Sequence, residues 1–286
     1  MKKIISFSLY GNKPNFQVGA IVNVLEAKRL YEGWTCRFYT TDNDGICKQL
    51  EYLGAEIVRM DDWPEGQMFW RFLAVDDADV CLSRDADSVV NEREVGAVNE
   101  WLENTDCQWH AMHDHKHHQK VSIMGGMWGY RRYDGTPEER QKLAESGVYF
   151  FDFKNPETSM RNHIKNWLSK KDGNRKTTSG YNWDQIFLGH IYATGASTHL
   201  MWSGGWRNAK GNRFPLHYPV RYGSFVGDYS FRELSRWKGW AHGDMWLVAI
   251  IKKIINEGWT NEDDKKKRLM EAVKHIIARC GGRIED

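Results

Sequence analysis

Asp85 and Asp87 stand one residue apart at the end of a short apolar run, with Arg84 before them and Ser88 after, in VCLSRDADSV (Val80–Val89). Two carboxylates that close repel each other unless a cation or a proton lies between them. Oxygen donors with no cysteine beside them suit Mg²⁺ or Mn²⁺, which keep water and take substrate phosphates as further ligands. The pair therefore points to a metal–diphosphate site, where a cation offsets the charge that develops as a diphosphate departs. Arg71 and Arg84 could add positive charge to the phosphates or orient the carboxylates. The same letters also suit a turn with aspartate caps leading into the next helix.

The elements around the pair decide where it sits. Lys3–Leu9 reads as a first strand, followed by a Gly/Asn/Pro loop, YGNKPNFQVGA. Apolar residues at Ile21, Val24, Leu25 and Leu30 recur at helical spacing over Ala20–Tyr31. Thr35–Thr41 is β-rich and ends in the turn signal DNDG. The spacing predicts a helix at Ile46–Leu53, a strand at Glu56–Met60, a helix at Gln67–Val75 and a strand at Val80–Ser83. This β-α-β-α-β-α-β alternation with short connections predicts an open α/β sheet with helices on both faces. In such sheets ligands bind beyond the carboxyl ends of the strands, which is where Asp85 and Asp87 fall.

Further along come a helix at Val95–Glu103 and a strand at Trp109–Met112 that enters a histidine-rich loop. Helices follow at Pro137–Glu145, Thr158–Leu168 and through WDQIFLGHIY (Trp183–Tyr192), with Ser203–Arg213 read as a Gly-rich basic loop. From about Asp244 the pattern is purely helical, with Thr260 and Asp263 placed as a capping box. The expected division is one domain over 1–240 and a helical extension over 241–286.

Composition narrows the classes. No apolar run approaches the roughly eighteen residues of a membrane helix, since the longest, Met245–Ile255, is broken by Lys252 and Lys253. The start, MKKIISFSLYG, does not read as a signal peptide. Five scattered cysteines without C-x-x-C spacing point to a reducing, cytoplasmic compartment, and away from a disulfide framework or structural zinc. A net charge of +2 identifies no partner by itself. Fourteen tryptophans suit stacking on sugars or bases as well as a core.

SRDADS (Ser83–Ser88), FWRF before it (Phe69–Phe72) and EREVGAVNEWL after it (Glu92–Leu102) resemble GT-A-fold nucleotide-sugar glycosyltransferases of bacteria, large viruses and phages. HAMHDHKHH (His110–His118), IMGGMWGYR (Ile123–Arg131) and YNWDQIFL (Tyr181–Leu188) extend the resemblance over roughly residues 1–230. It implies a Rossmann-like, open mixed sheet flanked by helices. On these positions it implies that Asp85 and Asp87 hold Mn²⁺ or Mg²⁺ against the donor diphosphate, with His217 as a third ligand. Ser8, Leu9, Tyr10 and Gly11 would take the nucleoside, and Arg71 would lie near the donor. Asp114 and His115 would touch the donor sugar, and Gly125 and Gly126 would let the backbone approach it. Asp184 would be the general base for the acceptor hydroxyl in an inverting enzyme. The chain departs from the family at His113–Asp114–His115, where relatives often read Arg-Asp-His.

Basic groups and rings interleave in GGWRNAKGNRF (Gly204–Phe214) and RELSRWKGW (Arg232–Trp240), a pattern able to hold a nucleic-acid backbone and a flipped base. Trp128, Trp183, Trp206 and Arg207 are the expected acceptor contacts. The implied activity is transfer of a hexose or pentose from a nucleoside-diphosphate sugar, with a UDP-sugar as the expected donor. Its acceptor would be a hydroxyl of a glycan, of a small molecule, or of hydroxymethylcytosine in phage DNA, in a bacterium or a virus-infected cell. The competing classes are a non-catalytic sugar- or nucleic-acid-binding protein and a metal-dependent phosphohydrolase.

Overall fold

The computed structural model describes residues 1–11, 14–42, 44–63, 66–113, 118, 123–145, 151–169, 182–193, 200–203 and 212–214. The expected helical extension, with its boundary near residue 240, lies outside them.

The alternation expected from the sequence is present in its first half. Strands β1 (Lys3–Leu9), β2 (Trp34–Thr40), β3 (Glu56–Arg59) and β4 (Val80–Arg84) alternate with helices α1 (Pro14–Leu30) and α2 (Asp44–Tyr52) and a 3₁₀ segment, Gln67–Asp76. After β4 come α3 (Glu92–Asn104), β5 (Trp109–Met112), β6 (Met127–Arg131), α4 (Pro137–Glu145), α5 (Met160–Ser169), α6 (Trp183–Ala193), β7 (Leu200–Ser203) and β8 (Asn212–Phe214). Together the strands make one mixed sheet of order β3-β2-β1-β4-β6-β5-β7-β8. The first four pair in parallel, while β6 runs antiparallel to both β4 and β5. The sheet is thus Rossmann-like, open and mixed, with its helical layers on both faces.

Strand alternation assigns side chains to the two layers. Ile5, Phe7 and Leu9 of β1 and Val80 and Leu82 of β4 pack with α1 and α2 residues and with Val98 and Trp101 of α3. Ile4, Cys81, Trp109, Trp128 and Tyr130 pack on the other face with the 3₁₀ segment, α5 and α6. The site hangs on this parity. Ser83 and Asp85 share the face covered by the 3₁₀ segment, whereas Arg84 points to the α3 face.

Three local expectations change. Helix α1 begins at Pro14 rather than Ala20, because proline is preset for a first helical turn and needs no hydrogen bond there. Gln67–Asp76 winds as 3₁₀ rather than α, with seven of its ten residues buried. Strands β7 and β8 add to the sheet edge beside β5, and β8 begins within the stretch read as a loop.

Candidate active site

Beyond β4 the chain turns sharply, with Ser88 N–H donating to the Asp85 carbonyl at 3.2 Å. Asn91 then caps α3 by accepting from the Glu94 N–H at 3.0 Å. Asp85 and Asp87 therefore lie in a tight loop between a buried strand and a capped helix. The parallel register that pairs Phe7 with Arg84 carries on to set Ser8 beside Asp85. The antiparallel register that pairs Arg84 with Met127 likewise sets Gly126 across from Asp85.

Arg71, from the 3₁₀ segment, reaches into this corner. Its Nη1 donates to Asp85 Oδ1 at 2.6 Å and its Nη2 to Asp184 Oδ2 at 2.6 Å. Its own backbone N–H donates to Ser8 Oγ at 3.0 Å, which ties the segment to β1. One guanidinium thus joins a carboxylate after β4 to a carboxylate in the first turn of α6. Asp184 is 1% exposed and Asp85 has 36% of its side chain exposed, so the arrangement has a buried floor and an open rim.

Electrostatics follow from that geometry. Burial raises the Asp184 pKa, the Arg71 charge opposes the rise, and Asp85 adds to it. Burial tends to lower the Arg71 pKa, but Asp85 and Asp184 overcome it and raise the value above the ordinary one. Tyr10 is raised by burial, against Arg71 and with the carboxylates Asp184, Asp85 and Asp87, so its phenol feels the same charges.

Two glycines make room for the cluster. A Cβ on Gly125 would overlap Asp184 Oδ2 and Arg71 Nη2, and one on Gly126 would overlap Asp85 Oδ2. Ser83 Oγ donates to the Gly125 carbonyl at 2.7 Å and holds this bend against β4.

The structure brings together Ser8, Tyr10, Arg71, Asp85, Asp87, Gly125, Gly126 and Asp184. Gly11 stands next to Tyr10, exposed and at φ 87°, with open space where a side chain would project. Trp183 is half-buried against the core layer of α5 and α6. Three expected contacts are turned inward. Arg84 is buried, donating to Glu94 Oε1 at 2.7 Å and to the Trp128 carbonyl at 2.8 Å, so its charge is spent on the core. Trp128 is fully buried between Phe72 and Trp109 and offers no stacking face to an acceptor. The Leu9 side chain is fully buried under α1, leaving only its backbone for a ligand. Asp114, His115, Trp206, Arg207 and His217 lie outside the described residues. In the histidine-rich stretch, His110 is buried and stacked on Trp101, and burial, then the Arg84 charge, pushes its pKa down to about 3.

Gly19 and Asn23 of α1 were missed by the sequence reading, yet both touch the aspartate loop. Asn23 lying between the apolar Val22 and Val24 was the one available hint.

Asp85 and Asp87 fit a hard divalent cation: both donate oxygen, and the partly open Asp85 has glycine rather than a side chain across from it. Among the described residues no group of three or more ligating side chains gathers there, so a cation would draw further ligands from water and substrate phosphate.

No family model matches the chain, and no curated protein matches it significantly. Among solved structures, it is similar to glucosyl-3-phosphoglycerate synthase of Mycobacterium tuberculosis in complex with Mn²⁺, UDP-glucose and phosphoglyceric acid. That match has 11% identity over 73% of this chain and 72% of the other, with a TM-score of 0.41. A mannosyltransferase of Pyrobaculum calidifontis in complex with GDP-mannose and Mn²⁺ matches at 11% identity over 98% and 70%, with a TM-score of 0.38. Similarity at that level decides no chemistry, so the functional reading rests on this chain's own residues.

Proposed function

We propose that the chain is a metal-dependent glycosyltransferase of GT-A type, moving a sugar from a nucleoside-diphosphate sugar to a hydroxyl acceptor. The observation that carries this reading is the Asp85–Arg71–Asp184 bridge at the carboxyl end of β4. Around one corner of the sheet, Asp85 would help bind the cation, Arg71 would face the phosphates, and Asp184, a buried carboxylate of raised proton affinity, would serve as the base. Those three groups match what departure of a diphosphate and attack by a hydroxyl require.

A bound Mn²⁺ or Mg²⁺ would supply the positive charge that the leaving diphosphate needs. Asp85 and Asp87 would hold it. Ser8, Tyr10, Gly11 and the Leu9 backbone line the end of β1, where the nucleoside would lie. Gly125 and Gly126 let their backbone lie close against Asp184, Arg71 and Asp85, and a donor sugar would approach this cluster from its open rim at Asp85. Asp184 would accept the acceptor O–H proton as the new C–O bond forms and the bond from the sugar to the diphosphate breaks. With Trp128 in the core, acceptor recognition falls to Trp183 and to residues outside the described ones, Trp206 and Arg207 among them.

The test is donor turnover. Protein and Mn²⁺ are incubated with UDP- and GDP-sugars, carrying hexoses and pentoses, and free nucleoside diphosphate is measured. Arms with a glycan and with hydroxymethylated DNA separate the acceptor classes. Release from one donor, lost with EDTA and in Asp87→Ala, is the expected result. Inorganic phosphate from a simple phosphomonoester would instead identify a phosphohydrolase. Sugar or DNA binding with no turnover on any donor–acceptor pair would identify a binding protein on this fold.

A further inference from the structure

We infer that Asn23 is a positioning residue that sets Asp87 for the cation; the inference rests on the metal-dependent reading of the same site. Asn23 is fully buried inside α1, where asparagine is a poorer helix former than alanine or leucine. A buried carboxamide is costly unless its donors and acceptor are engaged. Here they are engaged almost entirely by the aspartate loop. Nδ2 donates to the Ser88 carbonyl at 3.0 Å and approaches the Ala86 carbonyl at 3.3 Å, besides the Gly19 carbonyl one turn back at 3.0 Å. Oδ1 accepts from the Val90 N–H at 3.0 Å.

The two loop carbonyls belong to the residues on either side of Asp87. One side chain therefore fixes the Ala86–Asp87 peptide, just before the aspartate, and the Ser88–Val89 peptide, one residue beyond it, and a third bond pins the loop where it leaves for α3. Gly19, one turn earlier on the same helix face, lets α1 approach this closely. A Cβ there would overlap the Ala86 carbonyl oxygen and press on the Asp87 backbone. The helix thus carries a pair of residues, one pulling the loop in and one leaving room for it. Neither needs to touch substrate. Partners that orient metal ligands typically change metal affinity about 10–100-fold when removed.

The experiment uses the full chain with Mn²⁺ and UDP or GDP, reading free Mn²⁺ by electron paramagnetic resonance, with thermal unfolding alongside. Asn23→Asp keeps the shape and the acceptor for Val90 but turns a carboxylate oxygen toward three carbonyls, those of Gly19, Ala86 and Ser88. Asn23→Ala removes all the bonds. Gly19→Ala pushes the same loop while favouring the helix. Each folded variant is expected to bind Mn²⁺ roughly tenfold or more weakly, and Gly19→Ala is to do so without a fall in helix content. Mn²⁺ affinity within twofold of the parent in folded variants would overturn the inference while leaving the function intact. If every variant unfolds before Mn²⁺ can be titrated, Asn23 serves the fold alone and the inference falls. If the parent binds no Mn²⁺ with either nucleotide, the functional reading falls first, and the inference with it.

Discussion

Arg71 Nη2 lies 2.6 Å from Asp184 Oδ2 in a corner where the arginine side chain is 9% exposed and the aspartate 1%. Removing one partner of such a buried pair strands the other charge, at a cost of about 3–5 kcal/mol. Arg71→Met should therefore lower stability by about that amount in urea titrations. The double variant Arg71→Met with Asp184→Asn should recover much of the loss. A loss in the double variant equal to the sum of the two single losses would show that the pair is not coupled.

Gly126→Ala should spare the fold more than it spares the site. The added Cβ would meet Asp85 Oδ2, the end of a side chain at the open rim, rather than backbone. Displacing a reacting group by about 1 Å can cost about 100-fold in rate. Mn²⁺ titration and donor turnover should both fall while the unfolding midpoint stays near the parent's. Gly125→Ala, which meets the buried Asp184 and Arg71, should lose stability as well.

Glu94→Gln separates the two arginines. Arg84 donates to Glu94 at 2.7 Å, both side chains being 3% exposed, on the sheet face away from Asp85. Neutralising Glu94 should cost about 3–5 kcal/mol without changing Mn²⁺ affinity in the protein that remains folded. A selective loss of Mn²⁺ or nucleotide binding would return Arg84 to the site.

Stability should also carry a pH signature from Asp76, whose pKa burial pushes up to about 6, even though it accepts from the Met160 and Arg161 N–H groups at the start of α5. The folded protein then binds this proton more tightly than the unfolded chain, whose aspartate keeps the ordinary value of 3.8. Its contribution is fully present below pH 3.8 and is lost as pH rises through about 6. Asp76→Asn should flatten the stability profile across that window. An unchanged slope would assign the pH dependence to other groups, Asp184 among them, whose shift has the same sign.

Much of this site was legible one element at a time. The run Val80–Leu82 followed by Asp85 and Asp87 marks a buried strand end, but Arg84 was expected beside the phosphates, and only the packing of α3 on its face of β4 separated it from Asp85. The pairing of Arg71 with Asp184 was not legible, because they stand 113 positions apart in the sequence and only docking of α6 beside the 3₁₀ segment brings them together. Nor did any pattern place Trp128 in the core. A tryptophan after two glycines reads equally as a stacking face or as core, until β6 is inserted antiparallel between β4 and β5.

The amino-acid sequence by itself determined the α/β alternation, the strand that ends in paired carboxylates, and the oxygen-rich chemistry such a pair can support. These depend on local periodicity and residue type. Only the tertiary structure decided which charges meet. Asn23 braces Asp87, Arg71 bridges Asp85 to Asp184, and Arg84 turns to Glu94, because sheet order and helix docking choose which face of each strand is covered. A buried charge has to take whatever partner that covering element presents.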